Sequence, residues 1–302
     1  MLPNDNIKTR KFSNNKSGFK LLKVWLKLHS YENLHACMEA TGIYGEPLAN
    51  FLYQANFTVS VVNPLKIKGF GMSELSRNKT DHSDSKLIAR FCKAMNPPVW
   101  HPIEPERKEL QALVRRLEDL QNLLRQENNH LEATLSINIK KSIKLVIKFL
   151  EKQIEELKNS IRDNINNDPH LKDQKTLLET IPGIGEATII QIVSFIDVKN
   201  FNNIKQLTAF IGLNPKQRQS GTSVNGQSKI SKIGNSSLRK AFYLPAIVAK
   251  RYNPTIKIFC ERLKASGKQT MVIICAAMRK LIHIIYGVLK SGRPFDAALV
   301  NI

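Results

Sequence analysis

The chain has 302 residues, long enough for two domains, and 42% of them are hydrophobic, so it can bury a real core. Its formal charge is +21, and residues 201–302 hold 17 Lys or Arg against only Glu261 and Asp296, a one-sided balance that argues against a merely solvated surface and for a polyphosphate partner. Cys37, Cys92, Cys260 and Cys275 are far apart and lack zinc-ligand spacing, no signal peptide opens the chain, and Arg279, Lys280 and His283 interrupt the apolar run from Met271 to Leu289. These features exclude a disulfide scaffold and a zinc module, and they make Met271–Leu289 a core helix rather than a membrane span.

Residues 1–100 alternate strand and helix patterns. Lys8 to Phe12 is a short strand by pattern, and Phe19 to Leu26 has helical spacing. His35-Ala36-Cys37-Met38 reads as a buried strand leading to Glu39. Glu46 to Tyr53 is helical, with Pro47 in its first turn. Phe57 to Val62 is the clearest strand, stopped by Asn63-Pro64. This order predicts an α/β domain with a partly parallel sheet. In the run Arg77-Asn78-Lys79-Thr80-Asp81-His82-Ser83-Asp84, the two aspartates lie one turn apart at a helix start. With Glu39 at a strand end, they suggest divalent-metal and phosphodiester chemistry in a very basic protein. Lys79 is placed to hold a phosphate beside the acids.

Residues 104–167 change character. Leu110, Leu113, Leu117, Leu120, Leu124, Leu131 and Leu135 keep to one helical stripe. Ile143, Ile147, Leu150, Ile154, Leu157, Ile161 and Ile165 step by four and three almost throughout. That heptad-like pattern predicts either two long antiparallel helices or an intermolecular coiled coil.

Residues 171–302 form a second, mostly helical region. Ile181-Pro182-Gly183-Ile184-Gly185 between two helices resembles a helix-hairpin-helix, whose glycines and following helix N-terminus attract phosphate; an ordinary helical corner also fits. The stretch 214–237 is polar, basic and glycine-containing, and reads as a loop. Lys216, Arg218, Lys229, Lys232 and Arg239 are candidate nucleic-acid contacts. Ser220, beside Lys216 and Arg218, is either a nucleophile among phosphate-binding cations or a turn residue.

The series Met38-Glu39-Ala40-Thr41-Gly42-Ile43-Tyr44, Val61-Val62-Asn63-Pro64, Asn78-Lys79-Thr80-Asp81-His82-Ser83-Asp84, Ile181-Pro182-Gly183-Ile184-Gly185, Gln219-Ser220-Gly221 and Ile230-Ser231-Lys232-Ile233-Gly234-Asn235 occurs in one order. It resembles the DEDD transposases of bacterial insertion sequences, the family numbered one hundred and ten, which includes the Piv-type DNA invertases. Each motif alone is weak; six in order are specific. The resemblance implies an α/β plus mainly α fold in three parts: a RuvC-like, RNase H-type domain over 1–103, a coiled-coil insertion over 104–170, and a C-terminal transposase domain over 171–302. It implies a DNA transposase or site-specific recombinase that cleaves and exchanges strands. Glu39, Asp81 and Asp84 match the second to fourth members of an acidic tetrad holding Mg²⁺ or Mn²⁺, and Ser220 matches the serine that attacks the DNA backbone. It further implies donor and target DNA, a structured guide RNA from the element, a homo-oligomer, and a cytoplasmic, nucleoid-associated setting without a membrane.

The family's first acid belongs in a run like Gly-Ile-Asp at the end of an N-terminal strand. Met1-Leu2-Pro3-Asn4-Asp5-Asn6-Ile7 resembles the hairpin after that strand, and Asp5 follows no apolar run. The expectation from this departure is a late start or a truncated copy lacking its first strand, with poor activity. Two other functions remain open on the residues alone. One is a nucleic-acid-binding protein without catalysis; the other is a RuvC-type junction nuclease, which needs the acids but not the serine.

Overall fold

The computed structural model of the chain describes residues 6–29, 34–40, 42–75, 80–220 and 224–299, with only the backbone for residues 43, 217–220, 224, 225, 227, 228 and 299. It divides into two compact units, residues 1–103 and 104–302.

The first unit is built on two parallel strands, β1 (His35–Glu39) and β2 (Thr58–Val62), paired from His35 with Thr58 to Glu39 with Val62. Strand side chains alternate between faces, and the packing follows that rule. Ala36, Met38, Val59 and Val61 pack with Leu22 and Leu26 of helix α1 (Lys16–Lys27) and with Ala49 and Leu52 of α2 (Glu46–Gln54). Cys37 and Val62 face the other way. They meet Ile67 and Phe70 of α3 (Pro64–Ser73) and Leu87 and Phe91 of α4 (Asp81–Met95). The result is a helix–sheet–helix sandwich. Ser60 is fully buried on β2, where its hydroxyl bonds the carbonyls of Pro97 and Pro98 and the ring of His35.

The expected strand over Lys8–Phe12 is absent: residues 6–13 have no regular structure. Its residues are mostly exposed and charged. Phe12 packs edge-on against Trp25 rather than entering a sheet.

The second unit opens with two long helices, α5 (Pro105–Ala133) and α6 (Ile137–Asn167). Residues 134–136 reverse the chain between them, too short a link for anything but an antiparallel pair within one chain. Leu110, Val114, Leu117 and Leu120 pack in one cluster with Leu150, Ile154, Ile161 and Ile165. Leu135 departs from the predicted stripe. It lies in the reversal, outside both helices, and is 93% exposed.

The base of this pair merges with the C-terminal helices. The core continues without a break through α7 (Pro169–Glu179), α8 (Glu186–Phe195) and α9 (Ile204–Ile211). It then takes in α10 (Ser236–Ala241), α11 (Tyr243–Tyr252), α12 (Pro254–Ala265) and α13 (Thr270–Ser291). The expected boundary near residue 170 is therefore not a gap in packing; Asp168 ends α6 and caps α7 by accepting from the amides of His170 and Leu171. Polar bonds tie α5 down too. Glu118 accepts from Gln191 of α8 at 2.7 Å and from Ser237 of α10. Gln111, buried, donates to the carbonyl of Ser194 at 2.9 Å.

Helix α13 is long and apolar enough to cross a membrane, but its apolar face, from Ile273 to Val288, is buried in this core.

The stretch 214–237 is not wholly a loop. It holds an antiparallel hairpin of β3 (Pro215–Ser220) and β4 (Val224–Ile230), with a bulge between Lys216 and Arg218.

Candidate active site and nucleic-acid interface

Asp81 and Asp84 are the first and fourth residues of α4. Thr80 caps this helix: its hydroxyl accepts from the Ser83 amide at 3.1 Å, and the Ser83 hydroxyl accepts from the Thr80 amide at 2.9 Å. Such a reciprocal box fixes where the helix begins. It therefore fixes the two aspartates one turn apart, Asp81 exposed and Asp84 half-buried. Carboxylates there also meet the positive end of the helix dipole.

Glu39 is the last residue of β1. Its register partner Val62 packs with Leu87, which lies one turn beyond Asp84 on α4. The β1 terminus and the α4 start therefore lie toward the same end of the sandwich. Cys37, two residues before Glu39, hydrogen-bonds Cys92 of α4. That bond, with burial, pushes the Cys37 thiol far above its ordinary value; on Cys92 the bond lowers the thiol against the effect of burial.

Among the described residues, none of the three carboxylates has a hydrogen-bond or ion-pair partner. The donor set suits a hard cation such as Mg²⁺. No three His, Cys, Asp or Glu side chains among the described residues stand close enough to form a finished ligand set. Lys79 lies outside the described residues. Tyr44 is exposed, and its carbonyl accepts from Asn14 at 2.9 Å.

In the second unit, Ser220 ends β3 opposite Val224, next to the hairpin tip. The base of this hairpin is laced to the end of α9. The amides of Ser231, Lys232 and Asn235 donate to the carbonyls of Asn214, Gly212 and Phe210. Gly234, at φ 144°, is required there, because the Phe210 carbonyl occupies the place a Cβ would take. Arg239 donates from Nη1 to the carbonyls of Ile211 at 3.0 Å and Lys232 at 3.2 Å, so its guanidinium already braces this base. Lys216 and Lys229 are exposed register partners across the hairpin, and Arg218 stands opposite Gly226.

The turn between α7 and α8 differs from the expected phosphate cradle in one respect. Gly183 has φ 100°, and a Cβ there would lie 2.7 Å from the Ala249 Cα, so this glycine permits close packing on α11. The Pro182 carbonyl accepts from Asn253 Nδ2 at 3.3 Å. Gly185 is exposed and caps α8. The first residue of that helix, Glu186, is held in a two-pronged pair by Arg162, with N–O distances of 2.8 and 3.2 Å. Arg162 lowers the Glu186 carboxyl below its usual range, so an anion already sits at this helix start.

Residues 175–261 match the Transposase IS116/IS110/IS902 family, and residues 3–138 match a second transposase family, the DEDD type of IS110 elements. A pilin gene-inverting protein of Moraxella bovis is 38% identical over 290 residues, covering 94% of this chain and 89% of that protein. The Moraxella lacunata protein of the same name has the same identity and coverage. The chain belongs to the IS110 family of transposases and recombinases. An IS110 insertion-element protein of Streptomyces coelicolor is more distant, 24% identical over 147 residues, which is 48% of this chain and 36% of that protein. The two family matches fall on different parts of this IS110-family chain. Glu39, Asp81 and Asp84 lie in the DEDD match, and Ser220 and the α7–α8 turn lie in the other.

Proposed function

We propose that this IS110-family enzyme is a DNA recombinase whose first unit is RuvC-like and supplies Glu39, Asp81 and Asp84, and whose second unit supplies Ser220 as nucleophile. The observation that carries the reading is the set of three unpartnered carboxylates at one end of a parallel-sheet sandwich, two of them fixed by the Thr80–Ser83 box. Acids left without protein partners at a helix start are available to a hard cation.

When bound, Mg²⁺ or Mn²⁺ would neutralise charge developing on a phosphate. The chain's own part is attack by the Ser220 Oγ on phosphorus. A serine–phosphate ester forms, a phosphorus–oxygen bond of the strand breaks, and the serine proton ends on the released hydroxyl. The ester keeps the bond energy for rejoining. Lys216 and Lys229, an exposed cationic pair beside the hairpin, are suited to hold the flanking phosphates. In the sequence, Lys79 adds a cation two residues before Asp81, and Arg218 and Lys232 add two in and just after the hairpin segment.

The working form is a homo-oligomer in which the acids and the serine of one centre come from different copies. The tip of the α5–α6 pair supports this, since Leu135, Ile137, Leu145 and Phe149 are 61–93% exposed there. The partners are donor and target DNA with a structured guide RNA, in the cytoplasm.

The test is strand cleavage and exchange with Mg²⁺, the element's RNA and its DNA ends. Ser220→Ala should abolish recombination while DNA binding persists; retained recombination would overturn the serine's role. Cleavage that survives in Ser220→Ala would instead favour a junction nuclease.

A further inference from the structure

A second anion site stands apart from the serine hairpin. Helices α11 and α12 flank a groove of about 310 Å³ lined by Lys250, Arg251, Lys257, Cys260, Glu261 and Lys264. Four cations face one acid, and among the described residues none of the four has an ion-pair partner. The thiol of Cys260 is buried in the floor. Burial raises it, with the Lys250 charge acting against that rise and the Glu261 charge adding to it.

Helix-end electrostatics accounts for three of these cations. Lys250 and Arg251 lie in the last turn of α11 and Lys264 in that of α12, where the dipole favours positive charge. Lys257 is different. It is the fourth residue of α12, in a first turn without any acid, where a cation is disfavoured. An unpaired lysine held at the wrong end of a helix points to an anionic ligand.

The spacing suits a repeating anion. Lys257, Glu261 and Lys264 follow one face of α12, and the two lysines are seven residues apart, about 10 Å along the axis. That is roughly three steps of a nucleic-acid strand at about 3.4 Å each. The groove also begins where the α7–α8 turn is seated. Gly183 packs on Ala249, one residue before Lys250, and Asn253 holds the Pro182 carbonyl at the α11–α12 junction. The start of α8 carries the Glu186–Arg162 pair, whereas the cations of the groove carry no such partner.

We propose that the α11–α12 groove is a sequence-independent binding site for a nucleic-acid phosphodiester backbone, with Lys257 and Lys264 as its principal contacts. This rests on the reading of the chain as a nucleic-acid enzyme and adds a second grip outside the serine hairpin.

The test is fluorescence anisotropy of the full-length protein with labelled duplex DNA and, separately, a labelled RNA hairpin, across a salt series. Lys257→Gln/Lys264→Gln should lower the slope of log affinity against log salt by about 2 and weaken binding roughly 10- to 100-fold near 0.1 M salt. The control is Lys152→Gln/Lys158→Gln, which removes the same charge from exposed lysines paired with Glu156 and Glu155. Loss with either probe, and not with the control, supports the groove and says which strand type it takes. An unchanged slope with both probes, or an equal loss in the control, overturns it while leaving the enzyme reading intact. No binding by the parent protein to either probe overturns both. Circular dichroism melting at the parent temperature confirms that the variant is folded.

Discussion

Asn253 joins three parts of the second unit, and its replacement should be felt in proportion. The side chain is fully buried. Its Oδ1 accepts from the Ile256 amide at 3.2 Å as the cap of α12, and its Nδ2 donates to the Pro182 carbonyl at 3.3 Å. Asn253→Ala removes a cap worth about 1 kcal/mol. It also leaves the half-buried Pro182 carbonyl without its partner, at about 1 kcal/mol or more. The expected loss is about 2–3 kcal/mol, or a midpoint lower by roughly 5–10 °C for a unit of this size. Asn253→Ser separates the two terms. A serine hydroxyl still caps α12 but is too short to reach Pro182, so it should recover about 1 kcal/mol of the alanine loss. Far-ultraviolet circular dichroism follows the helical second unit. Tryptophan fluorescence is the internal reference, because Trp25 and Trp100 both lie in the first unit. If serine is no better than alanine, or alanine costs under about 0.5 kcal/mol, the two-bond reasoning fails.

Gly183→Ala should cost about 3 kcal/mol, since it adds left-handed strain to a Cβ 2.7 Å from the Ala249 Cα; urea unfolding followed by circular dichroism measures it. Thr80→Ala should cost the first unit about 1 kcal/mol by tryptophan-detected unfolding, and Thr80→Ser should restore most of it, because the capping hydroxyl returns. The His283 imidazole is pushed below its ordinary value by burial, and by the charges of Arg279 and Lys280. It is therefore neutral in the folded chain, and the unfolded chain binds the extra proton first as pH falls below the ordinary histidine range. Its contribution is present above that range and is lost on acidification, so stability of the parent should fall more steeply with acid than that of His283→Gln. Equal slopes in the two proteins would refute the assignment.

The elements legible in the sequence are those whose signal is local. Thr80 and Ser83 mark the start of α4 by chemistry that acts over three residues, and Ile154, Ile161 and Ile165 of α6 face inward as their spacing dictates. The strands β1 and β2 are short, β2 is rich in β-branched residues, and their alternation between two helical layers follows from the pleat. What the sequence left open needed information it does not carry locally. Leucine heptads pack equally well within or between chains, and only the short reversal at 134–136 decides. The hairpin β3–β4 was invisible because Lys216-Gln217-Arg218-Gln219-Ser220 has no apolar alternation. Its ladder is held by backbone bonds and by the lacing of its base to α9. Gly183 was legible as a turn residue, but the helix it packs on lies some 65 residues away in the chain, at Ala249. At the candidate site, the chain order of Glu39, Asp81 and Asp84 was informative, and so was the helix start. The basic groove was missed because Lys250, Arg251, Lys257 and Lys264 are spread over two helices whose facing surfaces only the fold defines.

Glu118 gives the long helical pair a mechanical meaning. From this carboxylate to the end of α5 is fifteen residues, about 22 Å of stiff rod. On its other side the same oxygen holds Ser237, two residues past Asn235, whose amide is pinned to the α9 carbonyl of Phe210. The exposed tip is thus connected, along α5 and through this carboxylate, to the foot of the hairpin that bears Ser220.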